Sequence, residues 1–216
     1  MNNQVYLAFR DLYRKKGYMF FKGLYNVNIF GIRSLSSKPN SFDDYIGILY
    51  QNEIRNMCMI MNATVDAGVT VLGDTFGGEN GTLILPLGQH RGLFKKGKHR
   101  GRYDALVQAR EVEVIRDTNK DSLLTYNSGF RETGWFGLNL HRANKNFVTR
   151  YVNDWSHGCS VIQDVFLYDW FMNIITKSLQ YYKNSFTYTL FSEADVCSAG
   201  YFGVLGDLFE FSGTNF

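Results

Sequence analysis

In the run Phe136-Gly137-Leu138-Asn139-Leu140-His141, apolar residues alternate strictly with other types. A repeat of two is a strand's repeat, so Phe136, Leu138 and Leu140 share one face and Gly137, Asn139 and His141 the other. The apolar face belongs to a core, which turns His141 and Asn139 toward a site. Fourteen residues separate His141 from Ser156 in the segment Trp155-Ser156-His157-Gly158-Cys159-Ser160-Val161-Ile162. Gly158 lets the backbone bend without Cβ strain, exposing the sulfur and aiming amide N–H groups at a developing oxyanion. A thiol is mostly protonated at neutral pH, so a base must draw it toward thiolate. His141, from a separate strand, is the expected base; His157 shapes the turn or the pocket floor and is the weaker candidate for the base. Taken alone His141 would be a structural histidine bonded to a carbonyl. Beside this cysteine turn it reads as catalytic. The spacing alone supports a Cys-His acyl-transfer site.

Ser156-His157-Gly158-Cys159, with His141 upstream, resembles the signature of the L,D-transpeptidase family, cysteine enzymes of bacterial peptidoglycan. The Trp-Ser-x-Gly-Cys-x-Val form is similar to a divergent branch found in bacteriophage particles. Gly88-Gln89-His90, Gly97 to Tyr103, Ala105 to Gln108, Arg116-Asp117 and Phe186 to Leu190 echo that branch, so the resemblance spans about residues 80 to 192. It implies a β-rich α+β fold, a mixed β-sandwich with one supporting helix after the cysteine. It also implies acyl transfer or hydrolysis on peptidoglycan stem peptides through a thioester at Cys159, with Gly158, Ser156 and His157 shaping the turn, and no metal or organic cofactor. Where many family members carry Asn or Arg just after the cysteine, this chain has Ser160 and Val161. Another cation must then meet the substrate carboxylate. Arg150, in the loop before the cysteine turn, is the first choice and Arg142 the second, with Asn139 and Trp155 completing the substrate contacts. The basic run Lys95 to Arg102 is the reserve. A protein that keeps the fold as a structural or wall-binding virion component is the competing reading. A papain-like peptidase is disfavoured, because there the cysteine precedes the histidine.

Composition enters where it narrows these readings. Fourteen Tyr, 18 Phe and 21 Gly against two Pro suit a β-rich chain with many turns. A net charge of +3 is too small to argue for nucleic acid. Cys58, Cys159 and Cys197 are an odd number and do not suggest a disulfide framework; Cys58, in Met57-Cys58-Met59-Ile60-Met61, reads as a buried apolar residue. No secretory signal and no membrane-spanning run is visible, so the expected location is a phage particle, or the host envelope after delivery, and otherwise the cytoplasm.

Three segments are expected: residues 1–80 packed on the main domain, a catalytic domain over 81–192, and a Gly/Phe-rich tail over 193–216. The first and last are candidate contacts for other virion proteins. Residues 1–40, aromatic and basic, read as a hairpin laid on the main sheet. Ser41-Phe42-Asp43-Asp44 has the form of a helix start, predicting a short helix to about Asn52. Met57 to Leu85 reads as strands with Gly-rich turns, and Gly92 to Arg102 as a solvated loop in which His99, like His90 just before it, is a surface residue. Asp117 to Asp121 copies half a calcium loop, but Ser122 and Ser128 stand where Gly and the bidentate Glu belong, leaving a hairpin turn. Gln163 to Leu179 reads as an amphipathic helix burying Phe166, Trp170 or Phe171, Ile174 and Ile175, and Phe186 to Phe191 as a closing strand.

Overall fold

The computed structural model describes residues 2–35, 40–68, 81–119, 121, 123–126 and 129–198. The chain is mainly β. Helix α1 (Asn2–Lys15) is followed by strands β1 (Asn28–Arg33), β2 (Asp44–Gln51), β3 (Asn56–Thr64), β4 (Thr82–Ile84), β5 (Gly88–His99), β6 (Tyr103–Gln108), β7 (Val112–Asp117), β8 (Arg131–Gly134), β9 (Asn139–Arg142) and β10 (Ser160–Ile162). Helix α2 (Val165–Ser178), strand β11 (Phe186–Ser192) and helix α3 (Glu193–Ser198) complete it. Eight strands close into a barrel in the order β1-β11-β5-β6-β9-β10-β3-β2, and β4-β7-β8 form a separate sheet. The main sheet therefore closes on itself where a sandwich was expected. Its β1/β11 and β9/β10 pairs are parallel. The strands β1, β2 and β3, from the segment expected to pack on the main domain, are staves of the barrel itself. Among the described residues no helix is long and apolar enough to cross a membrane.

Two predicted elements change type. Residues 2–15 form a helix, not a hairpin arm. Val5, Phe9, Leu12 and Tyr13 recur at helical spacing, and Arg14 and Lys15 complement the dipole in the last turn. The aromatics do pack on the sheet, against Phe30, Ile32, Leu49 and Phe191. The helix expected up to Asn52 is strand β2, because Tyr45 to Tyr50 is buried on both faces: Ile46, Ile48 and Tyr50 inside, Leu49 and Tyr45 under α1. A two-sided apolar run rich in Ile and Tyr suits a covered strand. Asp44 does not cap a helix; its carboxylate accepts the Ser34 and Val65 amides at 2.9 Å each. Gly47 is required here, as a Cβ would lie 2.1 Å from the Phe30 ring.

The basic segment is no loop either. It is strand β5, ending in a tight turn at Arg100 and Gly101, with φ of 48° and 73°, that leads into β6. Asp117 ends β7 and opens the connection to its antiparallel partner β8, a long hairpin in which it accepts the Thr125 amide at 3.0 Å; Ser122 and Ser128 lie outside the described residues. The turns expected at Gly73-Asp74 and Gly77 to Asn80, and the tail beyond Ser198, also lie outside them.

After the cysteine, α2 starts at Asp164, whose carboxylate accepts the Phe166 and Leu167 amides at 2.7 and 3.2 Å. It buries Tyr168, Phe171, Ile174 and Ile175 in the barrel core, while Phe166 and Trp170 face outward. Strand β11 covers the segment expected to be a strand and lies between β1 and β5 in the closed barrel.

Candidate active site

Parallel pairing of β9 with β10 builds the site. Ser160 pairs with Leu140 and Val161 with His141, so Cys159 lies at the start of β10 beside the base-bearing strand. Leu138 and Leu140 enter the core while Asn139, His141 and Cys159 line one pocket of about 360 Å³ with Leu83, His99, Arg100, Phe136, Trp155 and His157. The structure thus brings Cys159, His141, His157, Asn139 and Trp155 together. Arg150 is not among them. It is exposed, its guanidinium 5.4 Å from the Tyr151 ring centre. Arg142 points to the other side of its strand, 4.3 Å over the Tyr103 ring.

The cysteine turn is set by two residues that do not touch the pocket. Ser156 is fully buried; its hydroxyl donates to the Cys159 carbonyl at 2.7 Å and accepts the Gly158 amide at 3.1 Å. Gly158 has φ +119°, and a Cβ there would sit 2.4 Å from the Leu83 carbonyl oxygen of β4. Only glycine meets both demands. The Gly158 amide, expected to hold an oxyanion, is therefore already used by Ser156. The Cys159 amide has no partner among the described residues and is left as the donor available at the turn.

The His141 ring is fixed by its neighbours. Nδ1 lies 2.8 Å from the Arg142 carbonyl, which only accepts, so Nδ1 carries the proton and Nε2 bears the lone pair. The Tyr103 hydroxyl donates to that carbonyl at 3.4 Å. On the ring face His99 stacks at 4.1 Å between centres, and Asn139 Nδ2 donates to His99 Nδ1 at 3.1 Å. His99 is buried, not a surface residue. A signal was present: in Lys96-Gly97-Lys98-His99 the cations alternate with Gly97 and His99, the pattern that placed His141.

Burial sets the protonation states. His141 is pushed down to about 3, first by burial, then by His99 and Arg100, against the Arg142 carbonyl. Burial also raises the Cys159 thiol, opposed by the Asn139 backbone N–H and the Arg100 charge. The resting site is accordingly neutral thiol and neutral imidazole, with the sulfur donating to the Gly137 carbonyl at 3.8 Å. Burial and Arg100 lower His157 as well. Among the described residues no three His, Cys, Asp or Glu side chains converge as metal ligands do. Of the other thiols, Cys58 packs against the α1 core and is pushed up to about 12 by burial.

This histidine makes stability depend on pH. Unfolded, it takes up a proton below about 6.5, but folded it resists until about 3. Stability from this group is complete above the unfolded value and falls as pH drops toward the folded one, by up to about 1.4 kcal/mol per pH unit. Urea midpoints measured from pH 7 to 4 are expected to fall more steeply for the parent than for His141→Gln. Parallel curves would contradict the buried, neutral assignment.

Searches against protein-family models, curated proteins and solved structures found no match.

Proposed function

We propose that the protein is a cysteine-dependent acyl-transfer enzyme acting on peptidoglycan stem peptides, related to the L,D-transpeptidases and carried by a phage particle. The observation that carries the chemistry is the convergence of Cys159 and a His141 whose Nε2 bears the lone pair in one pocket. The substrate class is carried by the Ser156-His157-Gly158-Cys159 signature and its upstream histidine. In this reading the Cys159 sulfur attacks the carbonyl of the scissile amide as its proton passes to an imidazole nitrogen. The Cys159 amide stabilises the oxyanion, the C–N bond breaks, and the imidazolium returns the proton to the leaving amine. Water or a second amine then resolves the thioester. With His141 pushed down to about 3 and the thiol raised by burial, a preformed thiolate–imidazolium pair is strongly disfavoured. Proton transfer and attack are thus one step, with no resting ion pair.

The raised thiol held by the Gly137 carbonyl favours a second reading, a wall-binding virion protein without turnover. Mass spectrometry of the protein after incubation with defined tetrapeptide muropeptides separates the two. An acyl adduct mapped to Cys159, with altered muropeptides, is the expected result. Muropeptide binding with neither adduct nor product would leave the second reading standing.

A further inference from the structure

A second cavity of about 540 Å³ adjoins the cysteine pocket and shares Trp155 with it. Arg102, Arg142 and Lys145 line it. Among the described residues one acid pairs with these cations: Asp169, itself largely exposed, stands 3.9 Å from Arg142. The Arg102 and Lys145 side chains are exposed and have neither hydrogen bond nor ion pair among the described residues, while the Arg102 amide closes the turn on the His99 carbonyl at 2.9 Å. Arg100, on the neighbouring side of Trp155, adds a fourth cation that likewise has no such partner among them. In a chain with a net charge of only +3, this is a concentrated positive field.

The cavity is also organised. The Arg142 guanidinium sits over the Tyr103 ring, 4.3 Å from its centre, a contact that helps to hold the fork in place before any ligand arrives. It follows His141 directly in β9, so base and cation project from adjacent residues to opposite faces of one strand. A chain laid over Trp155 can therefore place a carbonyl at Cys159 and an anionic group among Arg102, Arg142 and Lys145. Cations converging on a concave surface focus the field and suit carboxylate or phosphate oxygens.

We propose that this basic cavity is the subsite for an anionic group of the substrate, carried next to the segment that reaches Cys159. It rests on the acyl-transfer reading only in that one ligand spans both cavities. Binding can be read without chemistry in the Cys159→Ala protein, by calorimetry with an N-acetylated, C-terminally amidated tetrapeptide bearing one side-chain carboxylate, its carboxamide counterpart and its phosphoserine counterpart. The carboxylate peptide is expected to bind about tenfold more tightly than the carboxamide. The Arg102→Ala/Lys145→Ala variant, altered at two exposed positions, should bring the charged peptides down to the carboxamide level and leave the carboxamide unchanged. The advantage should also shrink on going from about 0.05 to 0.5 M salt. Tighter binding of the carboxylate peptide assigns the subsite to peptide carboxylates, and of the phosphoserine peptide to a phosphate-bearing polymer. Equal affinity for charged and uncharged peptides, or an unaltered charge preference in the double variant, overturns the subsite. Loss of the thioester alone, with this preference intact, would count against the Cys159 chemistry and not against the subsite.

Discussion

Cys159→Ala is expected to abolish acyl-adduct formation and turnover, because no other nucleophilic sulfur lines the pocket among the described residues. His141→Ala should slow acylation by about 10²–10⁴-fold, the usual contribution of a positioned base, while His157→Ala leaves a measurable rate. The pH profile identifies the base independently of folding effects. A histidine with an ordinary value near 6.5 would switch activity off as the pH falls through that value. His141, pushed down to about 3 by burial, His99 and Arg100, stays unprotonated across that range. Acylation of the parent should thus show no fall centred near pH 6.5 and should rise on the alkaline side as the raised thiol ionises. Single-turnover rates between about pH 5 and 9 test this. A loss of activity on the acid side, below the ordinary histidine value, that His157→Ala removes would transfer the role to His157.

The cysteine turn was legible because its chemistry is local: a Gly-Cys turn, a strict alternation ending at His141, and a short separation between them. The supporting shell is not local. His99 comes from β5, 42 positions before His141, and the cations around it disguise an inward-facing strand residue as surface. Arg150 shows the reverse: it is near the cysteine in sequence, yet it is exposed beside the Tyr151 ring and not among the residues that line the pocket. Periodicity failed where both periods fitted. Tyr and Phe in residues 2–15 satisfy a strand or a helix, and the contacts with Phe30 and Phe191 decide for the helix. Asp44 failed differently. A Ser with an acid three residues on is a capping signal only if a helix follows, and here the two-sided burial of Ile46 to Tyr50 overrode it.

Arg33→Met is expected to destabilise the protein by about 3–5 kcal/mol, because it strands a buried carboxylate. Arg33 grips Asp66 with two bonds, Nε to Oδ2 at 3.1 Å and Nη2 to Oδ1 at 2.9 Å, and gives a third to the Leu85 carbonyl at 3.1 Å. Both side chains are almost wholly buried. Asp44 stands close enough that burial, and then Asp66, raise its carboxyl well above the usual range. Without the guanidinium, two buried carboxylates face each other, and at least one must take up a proton to fold. That proton gives the variant a distinctive sign. A carboxyl whose folded value is raised contributes stability below its unfolded value and loses it as pH rises, so the deficit should shrink in acid. Replacing both partners, Arg33→Met with Asp66→Leu, should restore much of the loss, although the Tyr126 hydroxyl, 2.9 Å from Asp66, then loses its acceptor. The effect reaches the active site through the backbone. Asp44 binds the Val65 amide, the Thr64 hydroxyl binds the Asp66 carbonyl, and the Gly68 amide binds the Ser156 carbonyl at 2.9 Å. The ion pair thus anchors the segment on which the cysteine turn rests. Urea midpoints and acylation rates of the single and double variants, measured at pH 5 and 8, decide the matter. A single variant within about 1 kcal/mol of the parent at pH 8 would mean that Asp66 is solvated and that the turn is held by other contacts.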